Sequence, residues 1–336
     1  MRLQQSCILF GILTVSVGLA AAPEAEKDTP MKATLIESRK IWDAAPHNAF
    51  TDLFRWKDRF WCAFREGRGH VSTDGRIRVL TSDDGDKWAS AAVIELAGHD
   101  LRDAHLSVTP AGKLMLVGGA AGRKKDGEPT PTNSFVSLSA DGKEFTAAKL
   151  ITEGGWWLWQ VSWQGKTAYG VAYGEFDGKC RGKLLTSEDG LTWTTLVPDW
   201  LKEHEPTEVT LRFDGDLCHA LVRREGAQAL LATAKPPYKE WTARQLGSNT
   251  NGFGGPNLLK TPAGWVAAGR MHDGGPHTAL CSLDVTNGTM TRLLKLPSRG
   301  DTSYPGLLWH DGVLWMSYYS SHEGKTSIYL AKVKLE

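Results

Sequence analysis

A chain of 336 residues with 39 basic and 38 acidic side chains has a formal net charge of +1, which excludes a basic stripe for nucleic acid. Its 36 glycines and 14 tryptophans, with many β-branched runs and no sustained helical period, exclude a helical bundle and point to an all-β body. Ten histidines show neither His-x-His nor His-Glu-x-x-His spacing, so no metal motif is legible and no cofactor is expected.

Residues 1–22 read as a signal peptide. Arg2 supplies the positive start, Ile8 to Leu19 is apolar but too short to span a bilayer, and Ala20-Ala21-Ala22 offers small residues for cleavage. Cys7 lies too early for a lipobox, so no membrane anchor is expected. Residues 23–31, rich in Pro, Glu, Lys and Asp, read as a flexible leader. The expected product is a monomer, exported to the periplasm or beyond the cell, with residues 32–336 as one folded domain. Export permits disulfides, yet Cys62, Cys180, Cys218 and Cys281 fall in four different units of that domain. Free, mostly buried thiols are expected, with one bridge as the alternative.

The domain repeats a phrase. Ser82-Asp83-Asp84-Gly85-Asp86-Lys87-Trp88, Ser139-Ala140-Asp141-Gly142-Lys143-Glu144-Phe145 and Ser187-Glu188-Asp189-Gly190-Leu191-Thr192-Trp193 share the pattern Ser-x-Asp-Gly-x-x-aromatic, at spacings of 57 and 48 residues. Each follows a short apolar run and reads as a tight turn, with Ser and Asp bonding backbone N–H groups and Gly at positive φ. Weaker copies lead to Trp241 and surround Asp284. A second turn recurs near positions 58, 112, 165, 215, 264 and 312, at spacings of 54, 53, 50, 49 and 48. Six units of about 50 residues with two hairpin turns each read as six four-stranded blades, a six-bladed β-propeller. The N-terminal strand near Ala33–Trp42 is expected to close the ring beside Thr326–Lys334.

Alternating strand direction puts both turn sets on one face. The opposite face must carry the starts of the innermost strands and the ends of the second strands, converging on a central depression. Asp52, Arg102, Asp103, His105, Trp159, Gln160, Glu208 and Tyr304 fall at first-strand starts, and Arg65, Arg68, Arg223 and Arg270 at second-strand ends. Carboxylates, arginines and aromatic rings gathered on one face suit a sugar, so a glycan substrate is expected.

These features resemble the sialidase (neuraminidase) family of six-bladed propellers with Asp-boxes, over roughly residues 47–332. Ala63-Phe64-Arg65-Glu66-Gly67-Arg68 fits a phrase of the family's first blade, and Glu208-Val209-Thr210-Leu211 the opening of its fourth. The resemblance implies Tyr304 as nucleophile, Glu208 as its base, Asp74 as acid/base, and Arg223 and Arg270 as two members of a carboxylate clamp. The pattern departs at Ala49, where the family's first arginine would stand; Arg65, Arg68 or Arg102 is a candidate substitute. A phenol titrates near 10, so Tyr304 needs a neighbouring carboxylate to take its proton. The activity implied is a retaining exo-glycosidase acting on terminal acidic sugars.

Other readings stand beside these. Asp74-Gly75 is also an ordinary turn dipeptide, Arg223 and Arg270 also fit blade-to-blade ion pairs, and Trp157 and Trp159 also fit packing between blades. Asp103 and His105 fit either a rim pair or sugar contacts. A polysaccharide lyase with Tyr304 or His105 as base, and a non-catalytic sugar-binding propeller, are the competing functional classes.

Overall fold

Runs such as Ile77-Arg78-Val79-Leu80 alternate their side chains between two faces and end at turn residues that tolerate positive φ, so the chain folds back repeatedly. The computed structural model describes residues 30–122 and 128–336. The expected signal peptide and most of the expected leader lie outside the described residues. Among the described residues no helix is long and apolar enough to cross a membrane.

Strand β1 (Ala33–Trp42) comes first in the chain but belongs to the last sheet. Blade 1 is β2 (His47–Trp56), β3 (Arg59–Gly67), β4 (Arg76–Ser82) and β5 (Ala89–Ile94). Blade 2 is β6 (His99–Val108), β7 (Leu114–Gly122), β8 (Asn133–Ser139) and β9 (Lys149–Leu150). In blade 3 the first strand is broken into β10 (Trp157–Leu158) and β11 (Ser162–Gln164), both paired with β12 (Thr167–Phe176), followed by β13 (Lys179–Ser187) and β14 (Thr194–Trp200). Blade 4 is β15 (Pro206–Asp214), β16 (Leu217–Arg224), β17 (Leu230–Ala234) and β18 (Thr242–Gln245). Blade 5 is β19 (Gly254–Thr261), β20 (Gly264–Met271), β21 (His277–Asp284) and β22 (Thr289–Lys295). Blade 6 is β23 (Thr302–His310), β24 (Val313–Ser320), β25 (Ser327–Leu335) and, outermost, β1. The fold is an all-β, six-bladed propeller. Closure runs as the pattern predicts: β1 pairs antiparallel with β25, from Ala33 opposite Leu335 to Trp42 opposite Ile328.

The apolar core is divided among the seams. Each buried hydrophobic cluster joins two neighbouring blades, as Ile77, Val79, Leu101 and Phe135 join blades 1 and 2. A sheet buried on both faces needs apolar residues on both, which explains the near-continuous runs in second strands such as Trp61-Cys62-Ala63-Phe64. Cys62, Cys218 and Cys281 are buried free thiols, and Cys180 is half-buried and unpaired.

The Ser-x-Asp-Gly turns are local devices. Ser82 Oγ accepts the Gly85 N–H at 2.8 Å, Asp84 Oδ1 accepts the N–H groups of Asp86 and Lys87, and Trp88 Nε1 donates to Gly85 O. The turns at Asp141 and Asp189 repeat the bonds to backbone N–H groups. Each turn glycine is also a seat for the preceding blade. A Cβ on Gly142 would lie 2.0 Å from Trp61, and one on Gly190 would lie 2.9 Å from Met115.

The first strands carry the feature that builds the site. Register shifts by one residue between Ala49 and Asp52, Arg102 and His105, Pro206 and Val209, Gly254 and Asn257, and Ser303 and Gly306. Such bulges re-aim side chains. Phe50, Asp103, Gly255 and Tyr304 sit inside four of them at positive φ. Three of those are bulky residues in a backbone region that costs about 1–3 kcal/mol each, a strain that clusters at functional sites.

Candidate active site

Tyr304, at the bulge of β23, meets Glu208, near the start of β15, across the depression. Its hydroxyl donates to Glu208 Oε1 at 2.6 Å. Arg223, at the end of β16, donates from Nη1 to the same carboxylate oxygen at 2.6 Å and to the tyrosine oxygen at 3.0 Å. Glu208 Oε2 accepts the Gly255 N–H at 2.7 Å, so both carboxylate oxygens are fixed. Arg223 Nη2 also pairs with Glu225 at 2.8 Å. Arg270, at the end of β20, donates to Thr302 O at 3.3 Å and lies over the Tyr304 ring, 5.5 Å from its centroid. These four residues, named from the sequence, come together from three blades.

The electrostatics follow from burial. Desolvation holds the Tyr304 phenol well above its usual range, and the Glu208 charge adds to the rise against Arg223 and Arg270. Tyr304 therefore rests neutral, its proton shared with a carboxylate that is 4 % exposed. Burial likewise pushes Asp103 up to about 8, with Arg102 opposing and the Glu208 charge reinforcing. Its Oδ1 has no hydrogen-bond partner among the described residues. Burial thus favours the protonated form of Asp103, and the group is close enough to Tyr304 that a charge on it would raise the phenol further.

Around this polar set stands an aromatic wall. Phe50 meets Tyr304 and Tyr319 edge-on at 5.2 and 5.3 Å, and Trp159 meets Tyr304 at 5.6 Å. Tyr173, on β12, stacks on Trp157 and is raised well above its usual range by burial and by the charges of Glu208 and Asp103. Beneath the wall the axis is filled by side chains. His105 Nδ1 lies 3.3 Å from Gln160, Asp52 Oδ2 accepts the Leu106 N–H at 2.7 Å, and Arg212 bonds both Gln160 and Asn257. Asp52, His105, Trp159 and Gln160 are all buried and belong to this packed set on the axis.

Three arginines expected to face substrate are placed differently. Arg65 is fully buried, and each of its three nitrogens bonds a protein partner, Asp100 Oδ1, Gly69 O and Ser72 Oγ. Arg68 is 72 % exposed on the loop after β3 and pairs with Asp74 at 3.2 Å. Arg102 is held by Asp100 and by His70 O, with its guanidinium over Phe50. Asp74 faces a side cleft with Glu66, Arg76 and His99. Burial pushes its pKa up, but bonds from Ser72, the Arg68 backbone and the Arg68 charge outweigh this and hold it below the ordinary carboxylate range. That environment favours a standing carboxylate over a proton donor. Ala49 is buried, and the neighbouring ring of Phe50 takes the wall position beside Tyr304.

Sequence reasoning missed Phe50, Tyr173 and a polar cluster beside them. His47 Nε2 and His70 Nδ1 each lie 2.8 Å from Asp301 Oδ2, and Tyr319 donates to Asp301 Oδ1 at 2.9 Å. Burial raises the Asp301 pKa, but the bonds from His47 and His70 outweigh it and hold this carboxylate well below its usual range. The signal available for Phe50 was its place at a first-strand start, in Phe50-Thr51-Asp52. For His47, His70 and Asp301 no spacing signal exists.

No protein-family model matches the chain, and no curated protein matches it. Solved structures do. A protein of unknown function from Dyadobacter fermentans superposes with a TM-score of 0.77 at 17 % identity, over 91 % of this chain and all of the other. The α-L-arabinofuranosidase of Fusarium graminearum, solved with arabinobiose, gives 0.70 at 13 % identity, over 89 % of this chain and 98 % of that one. Trypanosoma rangeli sialidase, solved with the inhibitor DANA, gives 0.63 at 13 % identity, over 86 % of this chain but 55 % of the sialidase. The chain thus spans about half the length of that sialidase. At these identities the likeness concerns architecture, and the chain has the six-bladed propeller fold that sialidase and arabinofuranosidase share.

Proposed function

We propose that the chain is a retaining glycoside hydrolase in which Tyr304 is the nucleophile, Glu208 its base and Asp103 the proton donor. The observation that carries this is the 2.6 Å bond from the Tyr304 hydroxyl to a buried carboxylate fixed by Arg223 and the Gly255 N–H. That geometry is the activated-nucleophile arrangement: nucleophile, base, and a third group orienting the base. In the first half-reaction the Tyr304 oxygen forms a bond to the anomeric carbon as its proton passes to Glu208. The glycosidic C–O bond breaks, and its oxygen leaves with the Asp103 proton. In the second, water gives a proton to Asp103 and attacks the anomeric carbon, and the phenol leaves and recovers its proton from Glu208. Two inversions leave the anomeric configuration retained. We place the donor at Asp103 and not at Asp74, because a donor must hold its proton at working pH and Asp74 is tied as an anion to Arg68.

The likeness to sialidase and arabinofuranosidase structures supports a glycan substrate. An acidic terminal sugar is the finer reading, supported by Arg270, which spends one N–H on Thr302 O and leaves its other donors uncommitted among the described residues. The deciding experiment is Tyr304→Phe on a panel of aryl glycosides, sialosides and arabinosides. Loss of turnover with unchanged thermal unfolding, on a substrate whose product appears first as the retained anomer, is the expected result. Undiminished turnover in Tyr304→Phe, or an inverted product, would overturn the assignment.

A further inference from the structure

Three residues far apart in sequence meet beside the site without taking part in the chemistry just described. His47 opens β2, His70 sits on the loop after β3, and Asp301 stands just before β23. The two imidazole nitrogens and one carboxylate oxygen lie within 4.8 Å of one another. Each nitrogen is 2.8 Å from the shared Asp301 Oδ2. We infer that His47, His70 and Asp301 form a binding site for a divalent transition-metal cation such as Zn²⁺, which would pin the loop after β3 onto blade 6.

The donor set is the first argument. Two imidazoles and one carboxylate are ligands that Zn²⁺ and its borderline neighbours prefer, and three protein ligands leave a position for water or another oxygen. Geometry is the second. Ligand atoms about 2.0–2.1 Å from one metal stand roughly 3.0–3.4 Å apart, so each nitrogen–oxygen contact of 2.8 Å opens by tenths of an ångström, while the two nitrogens, within 4.8 Å of each other, settle onto the ion. Outer contacts are the third. Asp301 is oriented by the Tyr319 hydroxyl through the oxygen that the metal would not use. His47 is buried and its Nδ1 has no hydrogen-bond partner among the described residues, so the proton that Nε2 gives up on binding a metal can move to Nδ1 without breaking a bond there. His70 is half exposed, which gives the ion a path in from solvent.

The position gives the site a consequence. The ring of Phe50 packs on His70 at 5.2 Å and on Tyr304 at 5.2 Å, and the His70 carbonyl accepts from Arg102. A metal at His70 would hold the loop over Phe50 at the edge of the depression, one ring away from the tyrosine hydroxyl. The competing account is a hydrogen-bonded His–Asp–His contact with no ion.

Binding of the metal alone separates the two, and it does not depend on whether the glycosidase reading holds. Untagged protein, stripped with chelator, is titrated with ZnCl₂ by calorimetry at pH 7.5, and its uptake of Co²⁺ is followed by visible absorbance. The expected result is one Zn²⁺ per chain, a Co²⁺ spectrum of low-symmetry coordination, and a rise in Tm with Zn²⁺. His70→Ala, on an exposed loop, should keep the Tm of metal-free wild type and weaken Zn²⁺ binding at least ~10–100-fold, the loss seen even for outer-shell partners. His47→Gln should do the same, which guards against a local effect of the loop. Zn²⁺ uptake below one per chain, or uptake equal in wild type, His70→Ala and His47→Gln, would overturn the site.

Discussion

Asp103 combines a positive φ of 50° with burial and an unpartnered oxygen, which makes asparagine its informative replacement. Asparagine tolerates that backbone region and keeps the shape of the side chain, so Asp103→Asn removes the proton and little else. As the proton donor, Asp103 should be worth about 10²–10⁴-fold in kcat/KM, less on aryl glycosides whose leaving groups need no protonation. Wild-type activity should fall with an alkaline limb near pH 8, where Asp103 loses its proton, and the variant should lack that limb. Stability gives an independent sign. The folded pKa of about 8 lies above an unfolded value near 4, so the contribution of this group is present below about pH 4 and is lost as pH rises towards 8. Wild type should therefore lose Tm relative to Asp103→Asn over that window. The same limb and the same Tm profile in both proteins would remove Asp103 from the mechanism. Arg270→Lys addresses the sugar. A point charge cannot reproduce the planar fork, so an acidic substrate should bind about 10- to 150-fold more weakly and a neutral one nearly unchanged. Tyr304, Glu208, Arg223 and Arg270 were legible as positions because the repeat fixes where first strands start and second strands end, and the family resemblance picks out residues there. Asp103 was legible as a position, but its raised pKa was not, because that comes from burial by neighbours far away in sequence.

At the scale of elements, the Ser-x-Asp-Gly turn does two jobs with one glycine. Gly142 takes a φ of 79° and leaves room for the indole of Trp61 from the preceding blade. A side chain there meets backbone strain and a rigid ring together. Gly142→Ala should cost about 1–3 kcal/mol for the backbone, with overpacking in addition. Gly112→Ala takes a similar φ of 75° with nothing within 4 Å, so it reports the backbone cost alone. Chemical denaturation of both variants should rank Gly142→Ala as clearly the more destabilised; equal losses would mean that the Trp61 seat contributes nothing. The turns were readable because Ser, Asp and Gly each satisfy a local backbone need. The first strands were less so. The break of β10 from β11 and the register shifts of the other blades answer to contacts across the axis, such as Arg212 with Gln160 and Asn257, which no local pattern encodes. Arg65 shows the same limit. Its place at a second-strand end suggested a ligand contact, while its partners Asp100 and Ser72 came from other segments and enclosed it.

For the whole molecule, closure is what turns six hairpin pairs into one body, and β1 provides it. The strand covers the free edge of β25 and ties blade 6 to blade 1. Lys32 and Glu336 exchange backbone bonds at 2.7 and 3.0 Å, Arg39 reaches Gly85 O and Asp86, and Trp42 Nε1 donates to buried Glu66 at 2.8 Å. Its inward residues Ala33 and Leu35 join the apolar seam of blades 5 and 6. A chain beginning at Ala44 would therefore expose the edge of β25, a row of unpaired N–H and C=O groups that invites pairing with another copy. It would also leave Glu66 without its indole partner, though Arg76 and Arg78 would remain. Such a chain should lose cooperative thermal unfolding or show a strongly lowered Tm, and should elute from size exclusion as dimers or larger species. A chain beginning at Pro30 keeps every one of these contacts and is the control. If the chain starting at Ala44 eluted and melted like that control, the ring would be held by its six seams alone and the strand exchange at blade 6 would be dispensable.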